Sequence, residues 1–491
     1  MLSHAFNEGY ERNHMPEPRD FPVLKIEGEQ DSLLDPYRHA CFQLRQDVVD
    51  PGDESSLKAP ALRGLNQGFV DAWDAALATL GLRWAGIGTR SVTDAFLSAF
   101  DKNGYLPSRL EVATGGNPPD KSDSTRVAAP LFALAEWELF KLHGNRERLE
   151  HAFELLRADF MYREDHQRKR NGLFGGVADS YRLHATGRFM LGGRVVPSLA
   201  GGASWIDAVG MHALNARILG EMTRLLGRKE EAGELEWAMR DMAARANALM
   251  WDESNEWYFD LDEHGEHLPV KTLASLWTIW SGIAPRNRAD AMLKRLSDPT
   301  QFERANPYST VSASEGDYRK RDGAPAGVCR MDFNLIAWES LFAQHRYSAA
   351  QRACELHLRR VSKVLKDSGE MFLAYDPDRD TPAPLHDGSS GANAPLAHAL
   401  CVQASIGCLM GVRPHVHRRE LELIPYVEQQ HTIEGLRFNF GTINMEVGAA
   451  DKSGARRTLE LMCDVPFKLR TRHGEKSQLH DLQPGMHALQ V

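Results

Sequence analysis

From Phe69 to Leu409 the chain repeats one pattern: helix-length stretches with apolar side chains every three or four positions, divided by connectors rich in Gly, Pro and Asp. FVDAWDAALATLGL from Phe69 opens the series. It continues through Val92–Phe100, Ala128–His143, Glu147–Tyr162, Ile206–Leu226, Glu231–Met250, Leu273–Ile283, Arg288–Leu296, Asp332–Gln344, Ala349–Leu365 and Ala394–Leu409. This predicts roughly a dozen helices, counting an earlier periodic segment at Asp35–Val49. No repeat of fixed short period is visible, so the pattern favours a closed toroid of helical hairpins over a solenoid of near-identical units. The longer connectors, NGYLPSRL at Asn103, ATGGNPPDKSDS at Ala113 and AYDPDRDTPAPLHDGSSG at Ala374, suit one rim of such a toroid. After Gly411 the period changes to strand-like alternation in LELIPYV, GLRFNFGTINMEV, RTLELMCDVPFKLRT and MHALQV, with a turn expected at Gly441. The expected division is an N-terminal extension over 1–60, a helical domain over 61–412 and a small β-domain over 413–491.

Composition narrows the partners. Against 67 acidic residues stand 58 basic ones, and the net charge of −9 argues against nucleic acid or an anionic membrane surface as the main partner. The first twenty residues lack a basic stretch followed by an apolar core, and the run Leu396–Val412 is interrupted by His398, Gln403 and Ser405, so it reads as a buried helix. Cys41, Cys329, Cys354, Cys401, Cys408 and Cys463 are scattered without metal-ligand spacing, which fits reduced thiols and a cytoplasmic location. No P-loop, HExxH or GxSxG occurs. GIGTRS at Gly86 has no preceding strand, and His415 and His417 have no nearby partners, so neither a metal nor an organic cofactor is expected.

The candidate chemistry rests on carboxylates. Asp179 lies in the glycine-rich loop GLFGGVADSYR between two long helices, where neighbours can desolvate a carboxyl group and keep it protonated near neutrality. Such an acid can protonate a glycosidic oxygen. Ser180 and Arg182 could orient it or meet substrate hydroxyls, although an isolated loop aspartate is more often simply solvated. Trp73 and Asp74, after the lead containing Asn66, could offer an apolar face and an acceptor to a pyranose; a buried Trp beside a capping Asp is the competing reading. Asp120, Asp123 and Arg126 cluster before Ala128–His143, where Ser124 is the expected helix cap. Trp205 and Asp207 open the helix at Ile206, where a carboxylate also complements the helix dipole. Glu370 and Glu315 are the loop acids available to activate water, Glu370 being preferred for its longer loop. An inverting hydrolase requires the two carboxyl groups roughly 6.5–9.5 Å apart.

Taken in order, these segments resemble the trehalase-like helical glycosidases: trehalases, family 63 glucosidases and especially the mannosylglycerate-hydrolase-like group. FVDAWDAALATLGL, NGYLPSRL, SDSTRVAAPLFALAEWELFKLHG, GVADSYR, SWIDAVGMHALNARILGEMTRLLG, LMWDESNEWYFDLDEHG and PAGVCRMDFNLIAWESL carry the likeness over about residues 60–412. The resemblance implies an (α/α)6 toroid with Asp179 as general acid, Trp73 and Asp74 in the glycone pocket, and Arg182 and Asp207 beside it. One departure stands out: where relatives carry their catalytic base, this chain has Leu373 and Ala374 before Tyr375-Asp376-Pro377. The expected activity is inverting hydrolysis of a small α-linked glucoside or mannoside. Phosphorolysis, with Arg330 and the run Tyr318-Arg319-Lys320-Arg321 holding phosphate, is one alternative, and a catalytically inactive sugar-binding protein is another. Oligomeric state is not encoded in any feature of the sequence.

Overall fold

A computed structural model describes residues 21–49, 60–63, 69–85, 91–101, 103–111, 127–175, 190–191, 194–195, 202–316, 318, 327–385, 389–451, 457–474 and 476–491. Its longer helices are α1 (Asp35–Asp47), α2 (Ala72–Leu82), α3 (Phe132–His143), α4 (Arg146–His166), α5 (Ile206–Leu226) and α6 (Lys229–Leu249), followed by α7 (Trp277–Ser281), α8 (Arg286–Leu296), α9 (Met331–Ala343), α10 (Tyr347–Ser368) and α11 (Pro395–Gln403).

Two kinds of helix alternate. In α2 every residue except Asp74 is buried, α9 is buried from Met331 to Phe342, and α11 is buried throughout. A helix apolar on all sides belongs inside. By contrast α6 buries only the stripe Ala232, Leu235, Met242 and Ala246, the spacing of a helix wet on its other face. The core helices touch in succession: α2 meets α3, α3 meets α5, α5 meets α7, α7 meets α9, α9 meets α11, and α11 meets α2 again. Against them pack α1 on α11, α4 on α5, α6 on α5 and α10 on α9. Two glycines permit close approaches between core helices. A methyl group at Gly81 would overlap the carbonyl of Ala399 on α11, and one at Gly210 would lie 2.5 Å from Cβ of Trp277.

Helix boundaries depart from the periodicity in places. Pro130 keeps its predecessor out of the α region, so α3 starts at Phe132, not Ala128. Its cap position is Leu131, which provides no side-chain cap, and the expected cap Ser124 lies outside the described residues. Val92–Phe100 yields one turn, Asp94–Leu97, because Asp101 draws in the N–H groups of Asn103 and Tyr105 and bends the chain. Leu273–Ile283 divides into a 3-10 turn, Leu273–Leu276, and the short α7. Past Gln403, α11 widens into a π turn, Ala404–Leu409.

The longer strands are β1 (Val23–Ile26), β2 (Val412–His415), β3 (Glu420–Leu423), β4 (His431–Phe438), β5 (Gly441–Val447), β6 (Thr458–Cys463), β7 (Phe467–His473), β8 (Lys476–Leu482) and β9 (Gly485–Gln490). They form a five-stranded sheet ordered β1-β4-β5-β6-β9 and a four-stranded sheet ordered β2-β3-β7-β8, in which β3 and β7 run parallel. Alternation is clear in β6, where Leu459, Leu461 and Cys463 are buried while Thr458, Glu460 and Met462 face out. The β4–β5 turn is Asn439-Phe440, both left-handed at φ +49° and +65°, so the reversal precedes the expected Gly441. The segment over 1–60 contributes to both parts: β1 pairs antiparallel with β4, and α1 packs on α11. The six cysteines are buried and unbridged. Among the described residues no helix is long and apolar enough to cross a membrane.

Candidate active site

The segments leading into the core helices are laced together by backbone hydrogen bonds. Trp205 N–H donates to Phe174 O at 2.9 Å, Leu273 to Thr310 at 3.0 Å, Thr310 to Val328 at 2.9 Å, Met331 to Leu373 at 3.1 Å and Leu373 to Gly391 at 3.1 Å. The starts of α7, α9 and α11 therefore share one rim, and α5 joins it where Gly210, near its start, meets Trp277, which opens α7. The start of α2 joins it through a side chain: the Trp73 indole N–H donates to Asp332 Oδ2 at 3.2 Å. Arg330 grips the same carboxylate in a two-pronged pair, Nε to Oδ1 at 3.0 Å and Nη2 to Oδ2 at 2.6 Å. The N–H of Phe333 gives Oδ1 a further bond at 3.1 Å. Arg330 and Asp332 are 3% and 0% exposed, so this charge pair is removed from water and held by geometry.

A second buried carboxylate, Asp207, occupies the corresponding place on α5. Both it and Asp332 are second in their helices, where the helix dipole favours a negative charge. Asp207 Oδ1 accepts from the N–H of Ala208 at 2.9 Å. The helix start itself is capped from outside, Asp260 Oδ1 accepting from Ile206 N–H at 2.8 Å. Beneath it, His212 is stacked on Phe160 with centroids 4.4 Å apart and lies 4.3 Å from the ring of Phe174, the residue leading into the glycine-rich loop. Burial lowers its pKa, so the ring is neutral and its Nε2 proton goes to Glu164 at 3.1 Å.

Of the residues expected from the sequence, the structure brings Trp73 and Arg330 together on Asp332. Trp73 is 2% exposed, so its ring faces are covered and its N–H is committed; Asp74 beside it is half-buried. Trp205 is buried immediately before α5. Glu315 is partly buried and accepts from the N–H of Lys271 at 3.3 Å, with the Lys271 ammonium at 3.8 Å. Glu370 is exposed just past the end of α10, 3.4 Å from the Asn393 amide. Leu373, where the resemblance would place a base, is buried with its backbone in the rim lacing. Asp179, Arg182, Asn66, Asp120, Asp123, Arg126 and the run 319–321 lie outside the described residues. Asp332, Asp260 and His212 were missed from sequence. For Asp332 a signal existed: it repeats the helix-opening position of Asp207. Among the described residues no group of His, Cys, Asp and Glu could hold a metal ion.

This architecture belongs to a class of helical folds found in glycoside hydrolases. A solved "Sialidase" superimposes with a TM-score of 0.69 at 14% identity, covering 90% of this chain and 40% of its own. The family 63 mannosylglycerate hydrolase from Thermus thermophilus, in complex with glucose, superimposes with a TM-score of 0.57 at 15% identity, covering 75% of this chain and 99% of its own. More narrowly, residues 206–332 match the family described as the mannosylglycerate hydrolase MGH1-like glycoside hydrolase domain. The likeness to family 63-type, mannosylglycerate-hydrolase-like glycosidases expected from the motifs is therefore found. An uncharacterized protein of Borreliella burgdorferi is 23% identical over 324 residues, which cover 65% of this chain and 66% of the relative. The chain thus spans 66% of that curated relative and 40% of the sialidase.

Proposed function

We propose that the protein is an inverting glycoside hydrolase acting on a small α-linked glucoside or mannoside. One observation carries the reading: the glycoside hydrolase match runs from Ile206, which opens α5, to Asp332, which ties α2 to α9. The unbroken succession of core-helix contacts supports an (α/α)6 toroid over 61–412 with a β-domain over 413–491. Asp179 protonates the leaving oxygen, and a glutamate activates water on the opposite face of the sugar. Glu370 is the preferred base because its exposed carboxyl can reach water, and Glu315 is the second candidate. The Trp73–Asp332–Arg330 group fixes the floor beside Asp74, while Asp207 and Trp205 set the wall next to the acid loop; Asn66, Arg126 and Arg182 complete the substrate contacts. No cofactor is required by this chemistry. For phosphorolysis, Arg330 is already committed to Asp332, while the run 319–321 lies outside the described residues.

Mannosylglycerate, the substrate in the name of the Thermus relative, is the first glycoside to test, within a panel assayed with and without phosphate. The expected outcome is free sugar without phosphate, with turnover reduced about 10²–10⁴-fold in Asp179→Asn and comparably in Glu370→Gln. Wild-type rates in folded Asp179→Asn would remove the proposed acid. Loss in Glu315→Gln alone would transfer the base to that residue. Binding without turnover would leave the inactive sugar-binding reading.

A further inference from the structure

The opposite end of the core helices holds a cavity of about 470 Å³, within the range of small-ligand sites. It is remote from the rim. Arg217 lies on α5 eleven residues past Ile206, roughly 16 Å along the axis at the α-helical rise, and Phe342 is similarly far from the start of α9. The other wall comes from the four-stranded sheet, through Arg413 and His415 of β2, Glu420 and Glu422 of β3, and Arg470 and Arg472 of β7.

The charges here do not cancel. Arg413 is paired with Glu339 at 2.8 Å, Arg470 with Glu420 at 2.6 Å, and Arg472 with Glu422. That consumes the three carboxylates lining the cavity. Arg217 and Arg418 remain, and among the described residues neither forms a hydrogen bond or ion pair. The acid that acts on Arg217, Glu221, is itself engaged by Arg224 at 2.8 Å. Both arginines are solvent-accessible. His415 adds a ring kept neutral by burial and by Lys141 and Arg413. Trp280 and Tyr347 supply apolar wall to the same cavity.

We propose that this cavity is a second ligand site, separate from the rim, which takes a small organic oxyanion. Arg217 and Arg418 hold its phosphate or carboxylate group, and Trp280 and Tyr347 cover its body. A guanidinium forms paired, charge-assisted hydrogen bonds to such groups, and an oxyanion here replaces the counter-charge that the protein does not supply. Because the walls come from α5, α7, α9 and the sheet, an occupant also fastens the helical part to the β-strands.

The test uses the whole protein and calorimetric titration with glucose 6-phosphate, inorganic phosphate and uncharged glucose, with sodium chloride at matched ionic strength as a control. Both phosphates should bind and glucose should not, and glucose 6-phosphate should bind more tightly than phosphate. Arg217→Gln and Arg418→Gln, both accessible side chains, should each weaken glucose 6-phosphate by about tenfold or more while leaving the circular dichroism spectrum unchanged. Binding that persists in the double variant, or an effect reproduced by sodium chloride, overturns the site. Titration measures no turnover, so failure here is separable from failure of the glycosidase reading.

Discussion

The two ends of the core helices sort charge in opposite ways. At the rim, where helices begin, two buried carboxylates, Asp207 and Asp332, each stand second in their helix, and Arg330 is held on the latter. At the base, where helices end, Arg83 and Lys141 surround Glu138, and Arg413 meets Glu339. Core helices pointing the same way give one end partial positive charge and the other partial negative charge, and the side chains complement each. At the rim Asp332 is dry and held by Arg330, Trp73 and the N–H of Phe333. The base meets a second structural layer and leaves cations exposed to a cavity. Carboxylate chemistry suits the first environment and anion capture the second.

The sharpest way to break this contrast is to cut one pair at each end. Asp332→Ala strands the Arg330 guanidinium in a dry site and removes the acceptor of Trp73, so it should cost about 3–5 kcal/mol in a denaturant titration. Glu339→Gln at the base should cost less, about 1–2 kcal/mol, because Arg413 keeps an amide acceptor and its contact with the Phe342 ring. Equal losses would mean that the ends are not electrostatically distinct. Next in size, Gly210→Ala forces α5 away from Trp277 and should cost about 1–3 kcal/mol, seen as a lower unfolding midpoint with unchanged helix content.

A further effect is one of pH. Burial, then Lys141 and Arg413, push His415 from 6.5 down to about 2, with Glu138 opposing and His417 adding to the shift. Between those values the unfolded chain binds the extra proton, so the base loses stability as pH falls below about 6.5. Glu138 works in the same direction at lower pH. Burial resists its ionisation, but Lys141 and Arg83 hold its carboxyl well below the usual range, so its contribution is lost as acid protonates it. His415→Gln should therefore flatten the fall in unfolding temperature between neutral pH and about pH 4. An unchanged slope there would assign the acid sensitivity elsewhere.

Local pattern carried much of the fold and less of the site. Periodicity places Ile206–Leu226 with the observed bounds of α5, since a helix hydrogen-bonds within itself and its apolar face is written in adjacent turns. The β-strands after Gly411 are legible for a similar reason, although β8, which is mostly exposed, shows no alternation and was missed. The Trp73–Asp332 bond joins residues 259 positions apart, and nothing in either neighbourhood records the other. The short ladders beside the helices, such as Cys329–Arg330 with Ala374–Tyr375, are too short to show any period. Pairing of β1 with β4 is likewise a matter of topology and not of local sequence.

That last pairing bears on how the molecule is made. Lys25 of β1 meets Glu434 of β4 across 409 positions, so in a nascent chain β1 stays without this partner until β4 has followed it out of the ribosome. An early strand kept waiting is a target for the wrong edge, and chaperone demand should concentrate on that interval.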